Sequence, residues 1–516
     1  MRHTLLVAVL LLGRLGSQGA NILAPIWFSA PSHFVMFDRL LSELAARGHN
    51  VTVLSYFPRK APLHNYHDIA LHRDEWHHLG GMSVDVIPVL RSITVGYAYG
   101  WMGNVEGCRE AFSQPQTREL VRSADRYDLV ITDIHFADCT VAFAHHLGVP
   151  LINVATSFPF AWTHDRVGNP DHPAYTELFN SEAVAPFTFW QRLKHSVAHV
   201  YTRLGNRWLS DWQVDAVVRE AFGPGVPPTH DLVRNASLVL LNTHWSIDQV
   251  IPKVPALVEV AGLHVADPKP LPQDIQKFMD DSPAGVVYFC LGSKFRPDSF
   301  APEKLQAVLD TFSRLEQRVL WKVDASSLPS LPDNVKTAAW VPQNDVLNHP
   351  NTRVFITHAG QMSMVETTMA AVPVLAIPFG GDQVANAARA ARRGTGLLLE
   401  YQDLTYDTFS SGLDALLNDA RYRERAKQVS QLFRDRPRPP MEEAIYWVEY
   451  VIRHRGAPHL RSAALDLVWY QYLLLDVAAF VVAAVVFSVA LLFFGVRALL
   501  RCCTPRRVPA NKKKTK

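Results

Sequence analysis

A short apolar run of strand length, then an amphipathic stretch of helix length, then another apolar run: this rhythm constrains the chain most, and it occurs twice. Residues 21–28 read as a strand, 32–47 as a helix with Phe34, Phe37, Leu41 and Leu44 on one stripe and Gly48 as its stop, and 51–55 as a second strand. Residues 129–132, 137–146 and 149–154 repeat strand, helix, strand. The alternation predicts a parallel sheet covered by helices. A break follows at 264–284, where Pro268, Pro270, Pro272 and Pro283 stand among polar residues and read as an interdomain linker. The rhythm restarts with strands at 286–291, 319–322, 353–357 and 374–377, and helices at 363–371 and 384–393, the last closed by Gly394. The fold class is α/β: two Rossmann-like, doubly wound domains facing a cleft, with ligands expected at the carboxyl ends of the strands.

The two ends of the chain have a different character. Arg2, the apolar run Leu5–Leu12 and the small residues Gly16, Ser17, Gly19 and Ala20 read as a secretory signal over 1–19. Val477–Val496 carries no charge and is long enough to cross about 30 Å of hydrocarbon as a helix. A basic tail follows it, which predicts a cytosolic tail and a lumenal body. Lys513 and Lys514, fourth and third from the end, resemble a di-lysine retrieval signal of the endoplasmic reticulum. The net charge of +3 comes from these ends. The body between them is mildly acidic, which argues against a nucleic-acid partner.

Five cysteines exclude a disulfide scaffold. Cys108, Cys139 and Cys290 fall in the lumenal part, and three cannot all pair within one chain. Asn50 and Asn235 head glycosylation sequons; Asn50 is expected to enter a buried strand, so Asn235 is the better acceptor. His64, His67, His72, His77 and His78 match no zinc spacing, and no metal site is expected.

The most informative segment runs from Trp340 to Gln383: WVPQNDVLNHPNTRVFITHAGQMSMVETTMAAVPVLAIPFGGDQ. His358 follows a strand and opens a Gly-containing turn into a helix that carries Ser363 in its first turn. A helix start offers free N–H groups and partial positive charge to a phosphate. Glu366 is suited to hold two ribose hydroxyls. Trp340 is suited to stack on a planar base with Gln343 beside it, and Asp382 and Gln383 follow a Gly-Gly turn where sugar hydroxyls can be gripped.

This segment resembles the signature of the UDP-glycosyltransferases, the family that includes the UDP-glucuronosyltransferases. The stretch from Tyr450 through His459 and Asp466 to Trp469 and Tyr472 resembles animal members, and Pro58–Tyr66 is most similar to insect ones. The resemblance extends over nearly the whole chain and implies a GT-B arrangement. By number, it implies a signal peptide at 1–19, an acceptor-binding domain at 20–263, a linker at 264–284 and a UDP-sugar-binding domain at 285–435. Helices that pack back and approach the membrane follow at 436–475, then a transmembrane helix at 476–497 and a basic cytosolic tail at 498–516.

The same resemblance implies roles for single residues. Trp340 and Gln343 would meet the nucleoside and Glu366 the ribose. Ser293, His358, Gly360 and Ser363 would meet phosphate, and Asp382 and Gln383 the donor sugar. In the first domain His33 would be the general base, with a pKa suited to the task. Asp133 would orient its imidazole.

Two departures stand out. Ala359 replaces the usual Gly or Cys, which is harmless unless the position needs positive φ. Met362 replaces the Asn that many members carry after Gly360, removing a possible phosphate or sugar contact.

No Asp-x-Asp triplet occurs, so no metal cofactor is expected and the UDP-sugar acts as co-substrate. The reaction implied is inverting transfer of a hexosyl group to a hydroxyl of a small lipophilic acceptor. The likeness to insect members favours UDP-glucose over UDP-glucuronic acid; a glucuronate carboxylate would need a cation, and no particular Arg declares itself for it. The aromatic density at 155–212 suits a flat acceptor, the bilayer, or plain core packing. The expected setting is a single-pass endoplasmic-reticulum membrane protein, with homo-oligomer and monomer both left open. A lapsed UDP-sugar-binding membrane protein is the competing reading, disfavoured because His33, Asp133, Glu366, Asp382 and Gln383 are all present. A nicotinamide-dependent oxidoreductase is excluded by the lack of a Gly-x-Gly-x-x-Gly turn after any strand.

Overall fold

The computed structural model describes residues 19–72, 82–292, 299–328 and 330–503. The signal sequence, His77, His78, Ser293 and the di-lysine lie outside the described residues. The chain divides into a body to Ser462 and a second unit from Ala463.

The body contains two parallel sheets. The first is built from β1 (Asn21–Ile26), β2 (Asn50–Ser55), β3 (Tyr66–Ala70), β4 (Leu129–Asp133), β5 (Leu151–Ala155), β6 (Ala236–Leu241) and β7 (Leu257–Glu259), in the order β3-β2-β1-β4-β5-β6-β7. The second holds β8 (Val286–Cys290), β9 (Arg318–Lys322), β10 (Val335–Ala338), β11 (Thr352–Thr357), β12 (Val374–Ala376) and β13 (Gly396–Leu398), in the order β10-β9-β8-β11-β12-β13. Each sheet reverses its winding once, between β1 and β4 in the first and between β8 and β11 in the second. A crevice opens at the carboxyl ends of the strands at such a reversal, because the helices on either side lead away in opposite directions.

Helix α1 (Pro31–Ala46) shows how sequence makes these layers. Pro31 supplies a pre-set φ at the first turn, and Phe34, Phe37, Leu40, Leu41 and Leu44 fall on the buried stripe. Each such side chain contributes about 1.5–3 kcal/mol on burial. Gly48, at φ 95°, turns the chain into β2.

Helix α2 (Ile93–Ser113) is bound by the Cys108–Cys139 disulfide to the turn that follows β4, and α3 (Val141–Leu147) continues from that turn. Helices α4 (Phe189–Gly205) and α5 (Trp212–Phe222) are joined through a π-helical turn.

Several expectations need correction. The stretch 264–284 is not only a linker: it holds α6 (Gln273–Asp280), whose Ile275 and Met279 fill the second core at i, i+4 spacing. Residues 82–91 leave the first domain, and Val84 joins the second domain's core with Leu90 beside it. Strand β1 stops at Ile26, and the helix expected at 137–146 divides into a 3-10 turn and α3. Asn50 is exposed at the first position of its strand, its amide donating to Asn21 Oδ1 at 3.0 Å.

The two domains meet through buried charge. Arg389 lies between Glu177 at 2.8 Å and Asp248 at 3.3 Å, and all three are buried. Helix α7 (Gln343–Leu347), α8 (Gln361–Ala370) and α9 (Asp382–Arg393) flank the second sheet. Helix α10 (Pro440–Arg453) returns to the first domain, with Ile445, Val448 and Val451 in the core that α1 shares. Arg47 pairs with Glu442 at 2.5 Å. In the second unit, α11 (Leu475–Cys503) has a mean hydropathy of 2.9 and is long and apolar enough to cross a membrane.

Candidate active site

In the first domain, three strand ends converge. His33 lies in the first turn of α1, after β1, and its backbone N–H donates to Ala30 O at 3.0 Å. Its Nδ1 faces Thr156 Oγ1, just beyond β5, at 2.7 Å. Phe28 and His135 place their rings 4.8 and 4.7 Å from the His33 ring, centre to centre, and so fix its plane.

Asp133 is the last residue of β4 and is 1% exposed. Its Oδ1 accepts from the backbone N–H of His135 at 2.8 Å, an Asx turn, and meets His135 Nδ1 at 2.8 Å. His135 Nε2 lies 2.8 Å from Ser157 Oγ. The structure therefore differs from the expected direct pair. Asp133 Oδ1 is hydrogen-bonded to His135, Asp133 Oδ2 is buried without a hydrogen-bond partner among the described residues, and His33 Nδ1 is oriented by Thr156.

The physical cause is the turn after β4, which folds His135 back over the carboxylate of the residue two before it. One ligand atom from each of His33, Asp133 and His135 lies within 4.8 Å of the others, a spacing that could hold a metal ion. With Oδ1 already hydrogen-bonded twice to His135, the trio reads first as a hydrogen-bonded base.

In the second domain, the elements between β10 and α9 carry the site. Trp340 follows β10 and is 67% exposed, so its ring is open to a planar partner. Gln343, first residue of α7, donates from Nε2 to Ser363 Oγ at 2.9 Å and to Glu366, while Tyr288 donates to its Oε1 at 3.4 Å. Burial pushes the Glu366 carboxyl up to about 7, against the opposing pull of the Gln343 hydrogen bond and Lys322.

His358 directly follows β11 and is held between two glycines. A Cβ on Gly292 would lie 2.7 Å from its Cε1, and one on Gly360 would lie 2.7 Å from its Nε2. Only glycine leaves room for the ring at either position.

Gly360 is the N-cap of α8, and Ala359 before it sits at φ 63°. The condition attached to position 359 is thus met, and alanine there carries left-handed strain of about 1–2 kcal/mol. Ala359 N donates to Thr357 Oγ1 at 3.2 Å, and Asn386 Nδ2 donates to Ala359 O at 3.0 Å, which hold it in place.

Asp382 and Gln383 open α9, and both also serve structure. Asp382 Oδ2 accepts from Gln361 N at 3.0 Å, at the start of α8. Gln383 Oε1 accepts from Phe379 N at 2.9 Å.

Met362 meets the first domain. Its sulfur accepts from Asn242 Nδ2 at 3.2 Å, and the same amide donates to Thr156 O at 2.9 Å. Gln361 Nε2 donates to Asn242 O at 2.8 Å. A continuous set of contacts therefore runs from His33 through Thr156 and Asn242 to the first turn of α8. Asn242, Thr156 and His135 were not singled out from sequence for these roles. The readable signal was position alone, since each follows a buried parallel strand.

Residues 94–513 match the family model described as "UDP-glucoronosyl and UDP-glucosyl transferase". The chain is 38% identical over 487 residues to the UDP-glycosyltransferase UGT5 of Dactylopius coccus, covering 93% of this chain and 92% of that one. It is 37% identical over 471 residues to the UDP-glucosyltransferase 2 of the same insect, covering 90% of each. Among solved structures, UDP-glucose: anthocyanidin 3-O-glucosyltransferase in complex with UDP superposes with a TM-score of 0.53 at 19% identity, over 85% of this chain and 100% of that one. That likeness assigns the GT-B fold.

Proposed function

Since the chain belongs to the UDP-glucuronosyl and UDP-glucosyl transferase family, and is with it a UDP-glycosyltransferase, we propose that it transfers glucose from UDP-glucose to a hydroxyl of a small lipophilic acceptor, with inversion at the anomeric carbon. The observation that carries this reading is the contact path joining His33 to the first turn of α8 through Thr156 and Asn242. The reading takes His33, at one end of that path, as the base and the helix start at the other end as the diphosphate site.

In this reading Thr156 accepts from His33 Nδ1–H, which leaves Nε2 as the base that takes the acceptor's proton. The acceptor oxygen attacks the anomeric carbon as the bond to the β-phosphate oxygen breaks, and UDP leaves with both electrons. His358, Ser363 and the N–H groups at the start of α8 stabilise the departing diphosphate with neutral donors and the helix field. Trp340, Gln343 and Glu366 hold the uridine, Asp382 and Gln383 the sugar, and Ser293 joins the phosphate contacts. The reading needs no metal.

The glucose donor is favoured by the name of one relative, a UDP-glucosyltransferase. Glucuronate is the alternative within the family. Helix α11 would anchor the enzyme in the endoplasmic-reticulum membrane with the body in the lumen, where the Cys108–Cys139 disulfide suits the redox poise.

The test is conjugation by membranes carrying the chain. UDP-glucose and UDP-glucuronic acid are offered separately with a panel of phenols and steroid-like alcohols, and products are read by mass. A hexose adduct of β configuration is expected. A glucuronide would overturn the donor assignment, and an α-linked product would overturn the single displacement.

A further inference from the structure

Helix α4 presents its faces in the reverse of the order expected in a water-soluble body. Its inward side buries His195, His199 and Thr202. His195 Nε2 lies 2.9 Å from Ser181 Oγ, and His199 Nε2 lies 2.5 Å from Asp171 Oδ2. Its outward side carries Trp190, Val197, Val200 and Leu204, and the stripe continues through the π-helical turn to Trp208 and Trp212. These three tryptophans are 73%, 62% and 70% exposed. The spacing from 197 onward is three, then four residues at each step, so one continuous face is apolar; the π-helical turn keeps it in line.

Helix α2 lies alongside. Tyr201 donates its hydroxyl to Thr94 O at 2.8 Å, and Trp101 packs across Gly205, where a Cβ would come within 2.0 Å of the indole. The exposed Val95, Tyr99 and Met102 of α2 follow their own i, i+4, i+7 stripe. A patch this apolar needs cover.

Charge indicates what covers it. Arg192, Lys194 and Arg207 are exposed on the same segment, and its one acid between 189 and 212, Asp211, is buried. Tryptophans on one face with lysine and arginine beside them form the pattern of a helix lying in a bilayer interface, drawn to anionic headgroups.

We propose that α4 and the start of α5, with α2 beside them, dock the first domain onto an anionic bilayer as an in-plane amphipathic surface. The proposal rests on the membrane-anchoring reading of α11, which would raise the concentration of bilayer near the body.

The test uses the full chain in lipid nanodiscs, one copy per disc, made of phosphatidylcholine and phosphatidylserine with brominated acyl chains. Wild type is compared with a W190Q/W208Q/W212Q variant. The substituted side chains are exposed, so disc entry and turnover should be unchanged. Bromolipid should quench four tryptophans in wild type, these three and Trp469 next to α11, and one in the variant, about a fourfold drop in quenched emission. Equal quenching in both would overturn the docking while leaving the anchor intact. Failure of the chain to enter discs would overturn the anchoring reading itself. Protection of the three tryptophans from hydroxyl-radical oxidation only in discs loaded with two copies would assign the face to a dimer and overturn the proposal.

Discussion

In the second domain, Trp340, Gln343, His358, Ser363 and Glu366 come from one short run of sequence. In the first, His33 and its partner Thr156 are 123 residues apart, and Asp133 and His135 come from a third place between them. The proposed donor half is built by consecutive loops of neighbouring strands, so its residues and their order are visible in the chain. The proposed acceptor half is built where three strand ends meet, so the chain reveals the candidates but not which touches which.

This contrast predicts which property each half controls. The largest effect among variants of the supporting residues should come from Trp340→Ala. Removing the platform should weaken UDP binding by about 1–3 kcal/mol, the worth of a base–aromatic stack. Calorimetry should record that loss with the acceptor affinity unchanged. An equal loss of acceptor binding would mean that the halves are not separable.

His135→Phe should do the reverse. It keeps a ring but removes both nitrogens that hold Asp133 and Ser157. Turnover should fall about tenfold, or ~1.4 kcal/mol, and the acid limb of its pH profile should move, with UDP binding intact. A merely structural role would lower stability and leave that limb in place.

Glu366 gives the donor half a pH dependence of known sign. Its carboxyl is raised from the ordinary value to about 7 in the folded chain. The fold therefore holds an extra proton between the unfolded value and about 7, and this group's contribution to stability is present at low pH and lost as pH rises through about 7. Ribose hydroxyls donate to the ionised form, so UDP binding should release protons and weaken as pH falls below about 7. Calorimetry at pH 6 in two buffers of different ionisation heat should detect the release, and Glu366→Gln should abolish it.

The smallest effect belongs to Ala359→Gly. It relieves left-handed strain of about 1–2 kcal/mol but loses a fully buried methyl worth about 0.8 kcal/mol and loosens the unfolded chain. Unfolding free energies from denaturant titration should agree to within about 0.5 kcal/mol. The near-cancellation explains why alanine is tolerated at a position whose φ favours glycine.

The βα alternation, the sheet class and the donor-half candidates were legible because periodicity and local turn chemistry decide them. Other features were hidden for identifiable reasons. Helix α2 carries Gly96, Gly100, Gly103 and Gly107, residues of low helix propensity, and the sequence reading places no helix there. Yet Gly100 is required, because a Cβ there would lie 2.4 Å from Phe136 Cζ. Helix α4 turns its apolar stripe outward, which aromatic density alone could not distinguish from core packing or acceptor binding. Helix α6 starts directly after the prolines that suggested a linker, and only the Ile275–Met279 spacing marked it. The Asp133–His135 pairing depends on a two-residue Asx turn, which the strand pattern does not encode.

The central claim is that a base on the first domain and a donor site on the second form one catalytic centre. The most direct test measures turnover and UDP affinity on the same preparation of His33→Ala. Loss of a general base should lower turnover by about 10²–10⁴-fold with the UDP dissociation constant unchanged. Turnover near the wild-type rate would contradict the account, because His33 would then not be the base that its contacts with Thr156, Phe28 and His135 hold in place.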